Sequence, residues 1–314
     1  MEVISDWKKL SEKWKHGACA LGTFDGIHRG HKTVISRAVE YAKEHGVPSV
    51  VFTFSNHPRS VVSPDKAPLF IEDAEVRRMH MKRMGVDMLF EPLFTEETAA
   101  MEYKDFLKLL KETLAPSFVA VGPNYTFGRM GAGSADTLKA EGENFGFTAE
   151  ICSPVFENDE MISSTGIRRF IRLGKLDEAN KWLGHPVTAY GEVMHGDARG
   201  RLLGFPTANL ELSDKAVSLP KGVYAVRVTI DGEVYGGAAN IGSNPTFGIM
   251  EPRLEVHVLD FSGNLYGKKI LVEFLKLLRR EEKFPSIQAL IAQMEKDKAK
   301  AEEIFRLQAD SLVL

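Results

Sequence analysis

The residues best suited to chemistry lie in a glycine-rich stretch, GTFDGIHRGH, at residues 22–31. A short apolar run precedes the stretch and an amphipathic run follows it, which indicates a strand that turns into a helix. Such a turn leaves unpaired backbone N–H groups at the positive end of the helix dipole, and this favours binding of an anion. His28 and His31 are three residues apart, so both imidazoles face one side of the first helical turn. They could donate hydrogen bonds to phosphate oxygens and stabilise charge that develops during group transfer.

Two other interpretations of the histidine pair stay open on these residues alone. A metal site would need a third ligand; Asp25 is nearby, but HxxH without a further Cys, His or Glu is a weak metal signature. The histidines could also simply cap the helix. The glycines of the stretch favour the anion site, because Gly30 lets a ligand approach the backbone closely. The chain has no GxxxxGK[ST] sequence, so a Walker-type P-loop is excluded.

A second candidate site lies in GRLLGFPTANLEL, residues 200–212. Thr207 and Asn209 are oxygen donors two residues apart, so on an extended segment both point the same way. They suit a Mg²⁺ ion that is bound jointly with phosphate oxygens. The preceding loop, GDARGRLLGF, could close over phosphates. An ordinary surface loop and a plain Pro-Thr turn are the alternatives.

The stretch RLEVHVLD adds a candidate general base, Glu255. Its neighbours Leu254 and Val256 share one face of the predicted strand, and Glu255 lies on the other face with His257. A carboxylate that points away from the apolar face can accept a hydroxyl proton. A solvated glutamate on an exposed strand face is the alternative.

The elements that must position these residues fall into two patterns. In the first half, apolar runs at 18–22, 49–54, 86–90 and 118–122 predict parallel strands, with helical patterns between them. This alternation predicts a doubly wound, Rossmann-like α/β domain. After LGHP, residues 183–186, strands joined by turns predict a small β-barrel, followed by an amphipathic helix over 285–306. We therefore predict an α/β domain over 1–183 and a barrel domain over 184–314.

Composition narrows the class of protein. The 314 residues carry a net charge of −3 and only two cysteines, so a broad nucleic-acid-binding surface and a disulfide framework are both disfavoured. The sequence shows neither a signal peptide nor an apolar run that could span a membrane, which predicts a cytoplasmic protein. The sequence leaves open whether the chain forms a homo-oligomer.

Several motifs together resemble one enzyme family. GTFDGIHRGH is similar to the GxFDGxHxGH signature of nucleotidylyltransferases, and VGPNYTFG (121–128) and ISSTGIRRFI (162–171) are similar to motifs of its flavin branch. GRLLGFPTANLEL, GVYAV (222–226), NIGSNPTF (240–247) and LEVHVLDF (254–261) resemble riboflavin kinase, as does LYGKKILVEFLKLLRREEKF (265–284). Over residues 15–306 the chain resembles the bacterial bifunctional riboflavin kinase/FMN adenylyltransferase (FAD synthetase) family.

The resemblance implies roles for residues of the first domain. His28 and His31 would hold ATP phosphates and stabilise the transition state, and Arg168 would neutralise the departing pyrophosphate. Asn124 would contact the flavin or the nucleotide. The nucleotide pocket would further include Gly22, Thr23, Phe24, Gly30, Ser163, Ser164 and Thr165. Gly166 stands where the family commonly has a larger residue, and this lowers the helix propensity there.

The resemblance also implies roles in the second domain, where ATP would phosphorylate riboflavin. Glu255 would be the general base, and Thr207 and Asn209 would bind Mg²⁺. Arg279 and Phe284 would approach the isoalloxazine ring. The nucleotide would also meet Gly200, Gly204 and Pro206. ATP would be the co-substrate of both reactions, with FMN and FAD as products.

The sequence leaves two alternative functions beside this one. A nucleotidylyltransferase for another phosphorylated metabolite, such as phosphopantetheine, would not need the PTAN-containing half. A flavin-sensing regulatory protein that contacts RNA is disfavoured by the net charge of −3 and by the presence of all the expected catalytic groups.

Overall fold

The computed structural model of the chain describes residues 1–195, 204–243 and 252–310. The chain divides into two packing units, one of residues 1–70 and 77–164 and the other of residues 71–76 and 165–314. The sequence-based boundary between residues 183 and 184 stays a prediction. No helix among the described residues is both long enough and apolar enough to cross a membrane.

A six-stranded parallel sheet forms the centre of the first unit, with the strand order β1-β4-β3-β2-β5-β8. Its strands are β1 (Glu2–Ile4), β2 (Ala18–Leu21), β3 (Ser49–Phe52), β4 (Met88–Phe90), β5 (Phe118–Val121) and β8 (Thr148–Ile151). Two short hairpins pair β6 (Thr126–Phe127) with β7 (Gly133–Ser134) and β9 (Phe156–Glu157) with β10 (Glu160–Met161). The four parallel strands predicted from sequence are confirmed, and β1 and β8 extend the sheet at its two edges.

The helices of the first half lie between these strands along the chain. They are α1 (Arg29–His45), α2 (Arg59–Val62), α3 (Ala74–Arg83), α4 (Glu96–Ala100), α5 (Tyr103–Thr113) and α6 (Ala135–Phe145). The strands β2 to β5 are buried along their whole length, which explains their continuous apolar sequence. Helix α1 buries one stripe, including Val34, Ile35 and Ala38, and it ends at Gly46, whose positive φ of 67° suits glycine.

The strand order creates a crevice at the carboxyl ends of β2 and β5. From β2 the chain proceeds to β3 and β4 on one side, and it later crosses to β5 and β8 on the other side. Open parallel sheets bind ligands at such a reversal of strand order. The GTFDGIHRGH loop leaves β2 at this crevice and Asn124 follows β5, so the topology brings both candidate segments to one edge.

A closed, six-stranded antiparallel barrel forms most of the second unit, in the order β11-β12-β15-β14-β13-β16. Its strands are β11 (Val187–Met194), β12 (Ala208–Glu211), β13 (Gly222–Ile230), β14 (Glu233–Ser243), β15 (Pro252–Val258) and β16 (Lys269–Arg280). Three helices accompany the barrel: α7 (Ser164–Arg172), α8 (Leu176–Leu183) and α9 (Ile287–Asp310). The predicted barrel and terminal helix are confirmed.

Helix α9 packs on the outside of the barrel. A Cβ at Gly236 of β14 would lie 2.9 Å from the Phe305 ring, so the helix approaches the strand closely there. Asp297 of α9 is buried and accepts a hydrogen bond of 2.8 Å from Arg279 Nε at the end of β16. Gln293 donates to the other oxygen of the same carboxylate. The ion pair therefore fastens α9 to the C-terminal end of strand β16.

The unusual Gly166 has a packing reason. A Cβ at this position of α7 would lie only 2.5 Å from Cζ3 of Trp182, which is buried on α8. The indole thus occupies the space that a side chain at residue 166 would need, and the low helix propensity of glycine is offset by close helix packing.

We expect Gly166→Ala to destabilise the protein by about 1–3 kcal/mol, because the indole must shift in a packed core. The measurement is the midpoint of thermal unfolding. Gly191→Ala in β11 is the matched control, since a Cβ there would meet Leu210 Cδ2 at an ordinary 3.6 Å. Equal midpoints for Gly166→Ala and the unmodified protein would contradict the packing explanation.

Candidate functional site

The loop after β2 has a strained backbone. Phe24 has a φ of 47° and Ile27 a φ of 36°, although neither is glycine, and Gly26 between them has a φ of 81°. Left-handed conformations of bulky residues are costly and cluster at functional sites, where the surrounding structure enforces them. Phe24 and Ile27 are fully buried, and this burial holds the strained turn in place. Asp25 is buried in the same turn, as expected of a residue that shapes it.

His28 is the N-cap of α1, and its Nδ1 accepts a hydrogen bond of 3.2 Å from the backbone N–H of His31. The ring of His31 stacks on that of His28, with centroids 3.5 Å apart. Because Nδ1 is an acceptor, the neutral His28 ring carries its proton on Nε2. The imidazole can therefore cap the helix with one nitrogen and donate to a phosphate oxygen with the other. The capping and anion-binding interpretations thus apply to the same residue.

Two glycines of the loop leave room for these rings. A Cβ at Gly22 would lie 2.9 Å from the end of the Phe24 ring, and Phe24 in turn meets His31 edge-on at a centroid distance of 5.5 Å. A Cβ at Gly30 would lie 3.3 Å from both Nδ1 and Cε1 of His28. Both contacts are tight, so side chains at these positions would displace the aromatic and imidazole rings.

The resemblance implies adenylyl transfer at this loop, and on that basis we expect Gly30→Ala to slow the transfer about tenfold without lowering thermal stability, because it displaces the His28 ring while raising helix propensity. The measurements are steady-state FAD formation from FMN and ATP, and the unfolding midpoint. An unchanged rate would mean that the position of the His28 ring does not limit the reaction.

Other predicted residues of this site lie around the same loop. Ser164, at the start of α7, donates from Oγ to the Asp25 carbonyl at 3.0 Å, and this joins the SSTGIR motif to the strained turn. Thr53 Oγ1 donates to the Thr23 carbonyl at 2.9 Å. Asn124 is exposed beyond β5, and its Nδ2 lies 3.9 Å from Met161 Sδ of the β9–β10 hairpin. Sequence reasoning missed the ion pair between Arg29, inside the motif, and Glu157 of this hairpin at 2.5 Å.

The remaining residues of the SSTGIR motif differ in exposure. Ser163 is half-buried and Thr165 is exposed. Arg168 is buried one turn along α7, with a relative exposure of 6%. A buried guanidinium has a specific partner or ligand far more often than an exposed one. The assignment of Arg168 to pyrophosphate stays a prediction.

In the barrel, strand register places three polar residues in one row. Glu255 of β15 lies directly opposite Asn209 of β12 on one side and Asn240 of β14 on the other. All three are half-buried, whereas Leu254, Val256, Ala239 and Ile241 point into the barrel core. Residues opposite one another on one sheet face have Cβ atoms about 4.5–5.5 Å apart. The row therefore places the carboxylate of Glu255 between two carboxamides on the outer wall of the barrel.

The PTAN segment is anchored beside this row. His257 Nδ1 lies 2.9 Å from the Pro206 carbonyl, and its ring meets Phe205 edge-on. His257 follows Glu255 on the same strand face, so it holds the start of the PTAN segment next to the carboxylate. Thr207 is half-buried just before β12, and Gly204 and Pro206 are exposed. Gly200 lies outside the described residues.

Arg279 and Phe284 lie near the N-terminal end of α9. The Arg279 guanidinium sits over the Phe284 ring, with Cζ 5.2 Å from its centroid, while its Nε is paired with Asp297. Arg279 thus has a structural role in fastening α9, and its contact with Phe284 fixes where that ring lies. Binding of a flavin by these two residues stays a prediction.

The sequence is similar to proteins of known family over its whole length. A family model described as FAD synthetase matches residues 10–166, and one described as riboflavin kinase matches residues 183–305. The bifunctional riboflavin kinase/FMN adenylyltransferase of Bacillus subtilis (strain 168) is 36% identical over 300 residues, which cover 94% of this chain and 95% of that protein. The chain belongs to the bifunctional riboflavin kinase/FMN adenylyltransferase family.

Another relative and a solved structure also match nearly the whole length of the chain. The bifunctional riboflavin kinase/FMN adenylyltransferase of Escherichia coli (strain K12) is 36% identical over 310 residues, covering 98% of this chain and 99% of that protein. A crystal structure described as a macrolide-efflux protein from Streptococcus pneumoniae has a TM-score of 0.85 and 34% identity, covering 96% of this chain and 98% of that one. Each of the two regions of this chain that match a family model contains one of the two sites described above, the His28–His31 pair or the row around Glu255.

Proposed function

We propose that this chain phosphorylates riboflavin with ATP at the barrel site and adenylylates the resulting FMN with ATP at the parallel-sheet site, which forms FAD and pyrophosphate. The observation that carries the proposal is that each matched family region contains its own polar site. One is the His28–His31 pair at the N-terminus of α1, and the other is the Asn209–Glu255–Asn240 row.

At the parallel-sheet site, a phosphate oxygen of FMN would attack the α-phosphorus of ATP. The bond from that phosphorus to the oxygen of the leaving pyrophosphate breaks, and negative charge grows on the phosphate oxygens. No covalent nucleophile is required, so catalysis depends on positioning and charge stabilisation. The Nε2–H of His28 and the N–H groups at the start of α1 would donate to these oxygens, and His31 supports the His28 ring by stacking.

At the barrel site, the 5′-hydroxyl oxygen of the ribityl chain would attack the γ-phosphorus of ATP. Glu255 accepts the hydroxyl proton, the bond between the γ-phosphorus and the bridging oxygen breaks, and ADP leaves. A general base of this kind contributes about 10²–10⁴-fold to the rate. The half-buried position of Glu255 between two carboxamides suits this role, because the neighbours restrict its rotamers while one side stays accessible.

The donor set of the PTAN segment fits a hard divalent cation. The Thr207 hydroxyl and the Asn209 carboxamide are neutral oxygen ligands, and both side chains are half-buried beside Glu255. Mg²⁺ prefers a few oxygen ligands from protein together with phosphate oxygens and water. When bound, the ion would neutralise charge on the ATP phosphates. We further propose that the enzyme acts in the cytoplasm, where riboflavin and ATP are available.

The decisive experiment is product analysis. The purified full chain is incubated with riboflavin, ATP and Mg²⁺, and flavins are separated chromatographically over time. We expect FMN to appear first and FAD to follow, and FAD to form directly when FMN replaces riboflavin. Excess EDTA should stop phosphorylation of riboflavin. Accumulation of FMN with no FAD, even from added FMN, would contradict the assignment of the first site.

A further inference from the structure

Asn240 occupies a position that the expected catalytic set does not use. It lies on β14, directly across from Glu255, and its half-buried side chain is on the outer face of the barrel. Its strand neighbours Ala239 and Ile241 fill the core, so the alternation along β14 fixes the outward direction of Asn240. A small or apolar residue would serve equally well for packing at such a position, because the outer face does not contribute to the barrel core.

The space around the Asn240 carboxamide is shaped by Gly242. A Cβ at residue 242 would lie 3.2 Å from Asn240 Nδ2 and 3.7 Å from Glu281 Oε1. The Asn240 amide nitrogen therefore lies close to the bare backbone of Gly242, as does the Glu281 carboxylate. The NH₂ group of an asparagine has two N–H donors, so it can donate to more than one acceptor.

We propose that Asn240 is a positioning residue for phosphorylation of riboflavin, and that its carboxamide orients the Glu255 carboxylate toward the substrate hydroxyl. The inference rests on the proposed function of Glu255 as general base. A hydrogen bond from the Asn240 carboxamide would restrict the Glu255 carboxylate to the orientation in which it accepts the substrate proton. Asn209 lies on the other side of Glu255, and the proposed function assigns its side chain to the metal ion. Among the described residues, Asn240 is therefore the cross-strand neighbour of Glu255 that can orient the base.

Other charged or titratable groups lie near Glu255 and Asn240. Arg253 and His257 flank Glu255 along β15, and Glu281 lies near the Asn240 amide. Because these groups stay in place when Asn240 is replaced, a change in kcat for phosphorylation can be assigned to the carboxamide.

The test compares Asn240→Ala with Asn240→Gln in the full chain. For Asn240→Ala we expect kcat for riboflavin phosphorylation to fall about tenfold or more with little change in KM, as for loss of a hydrogen bond to a charged group. Asn240→Gln, which keeps the amide, should recover part of the rate. A merely structural role would lower the unfolding midpoint and both activities, rather than kcat for phosphorylation alone.

Two further variants sharpen the test. Gly242→Ala presses on the Asn240 amide without removing it and should give a smaller loss in the same direction. Val234→Ala, on the same strand at an exposed position about 20 Å away, is the control and should leave both activities unchanged. Adenylylation of added FMN by every variant reports whether the rest of the chain is intact.

A double-mutant cycle separates this inference from the proposed function. If Asn240 acts through Glu255, Asn240→Ala should have no further effect once Glu255→Gln has removed the base. Full phosphorylation activity of Glu255→Gln would contradict the proposed function itself. Loss of activity in Glu255→Gln, together with an unchanged kcat in Asn240→Ala, would overturn only the role of Asn240.

Discussion

Replacing His28 with alanine is expected to lower the rate of FAD formation from FMN and ATP by about 10²–10³-fold, because the transition state loses a preorganised donor to its developing charge. Phosphorylation of riboflavin by the same molecule should continue at its normal rate. The measurement is the initial rate of each reaction, followed separately with riboflavin or FMN as the added flavin.

The cap formed by His28 requires a second variant. Alanine also removes the hydrogen bond from His31 N–H to His28 Nδ1, and loss of an N-cap costs about 0.5–2 kcal/mol of stability. His28→Asn keeps a good capping residue but lacks the imidazole Nε2–H donor. We expect it to unfold near the normal temperature and still fail in adenylyl transfer. Normal adenylyl transfer by His28→Asn would show that His28 is only a helix cap.

Replacing Glu255 with glutamine is expected to lower the rate of riboflavin phosphorylation by about 10²–10⁴-fold, because the amide cannot accept the hydroxyl proton. Glutamine has nearly the shape of glutamate, so the barrel wall should keep its packing. Adenylylation of added FMN should be unaffected. The measurement is again the separate initial rates of the two reactions.

Glu211→Gln is the matched control for this variant. Glu211 is an exposed carboxylate on the neighbouring strand β12, opposite Arg253, and it should be replaceable without loss of either activity. If Glu255→Gln abolished both reactions while the chain stayed folded, the assignment of the two reactions to two separate sites would be wrong.

The sequence predicted those parts of the fold whose residues repeat with a clear period. Strands β2 to β5 are buried on both faces, so their sequences are continuous apolar runs that predict strands. Strand β11 was missed, because VTAYGEVM mixes polar and apolar residues and contains Gly191. It forms through pairing with β12 and with β16, of which β16 is distant in sequence, and no local pattern records such partners.

The candidate site was predictable where a motif is contiguous and unpredictable where the fold assembles it. His28 and His31 were evident from their spacing, and the alternation around Glu255 gave its outward direction. Strand register, however, decides that Asn240 lies beside Glu255, and a packing contact decides that His257 holds Pro206. The reason for a glycine at residue 166 is likewise a packing contact, with Trp182 on the next helix.

The alternation of core and site residues along β12, β14 and β15 has a consequence for folding. A slip of one residue in the pairing of β15 would turn Glu255 into the barrel core and bring Leu254 or Val256 to the wall. A misregistered barrel would thus bury a charge and lose its catalytic base in the same step. Phosphorylation of riboflavin would then report correct strand pairing directly. The fraction of chains trapped in a wrong register would equal the fraction of the expected turnover that is lost.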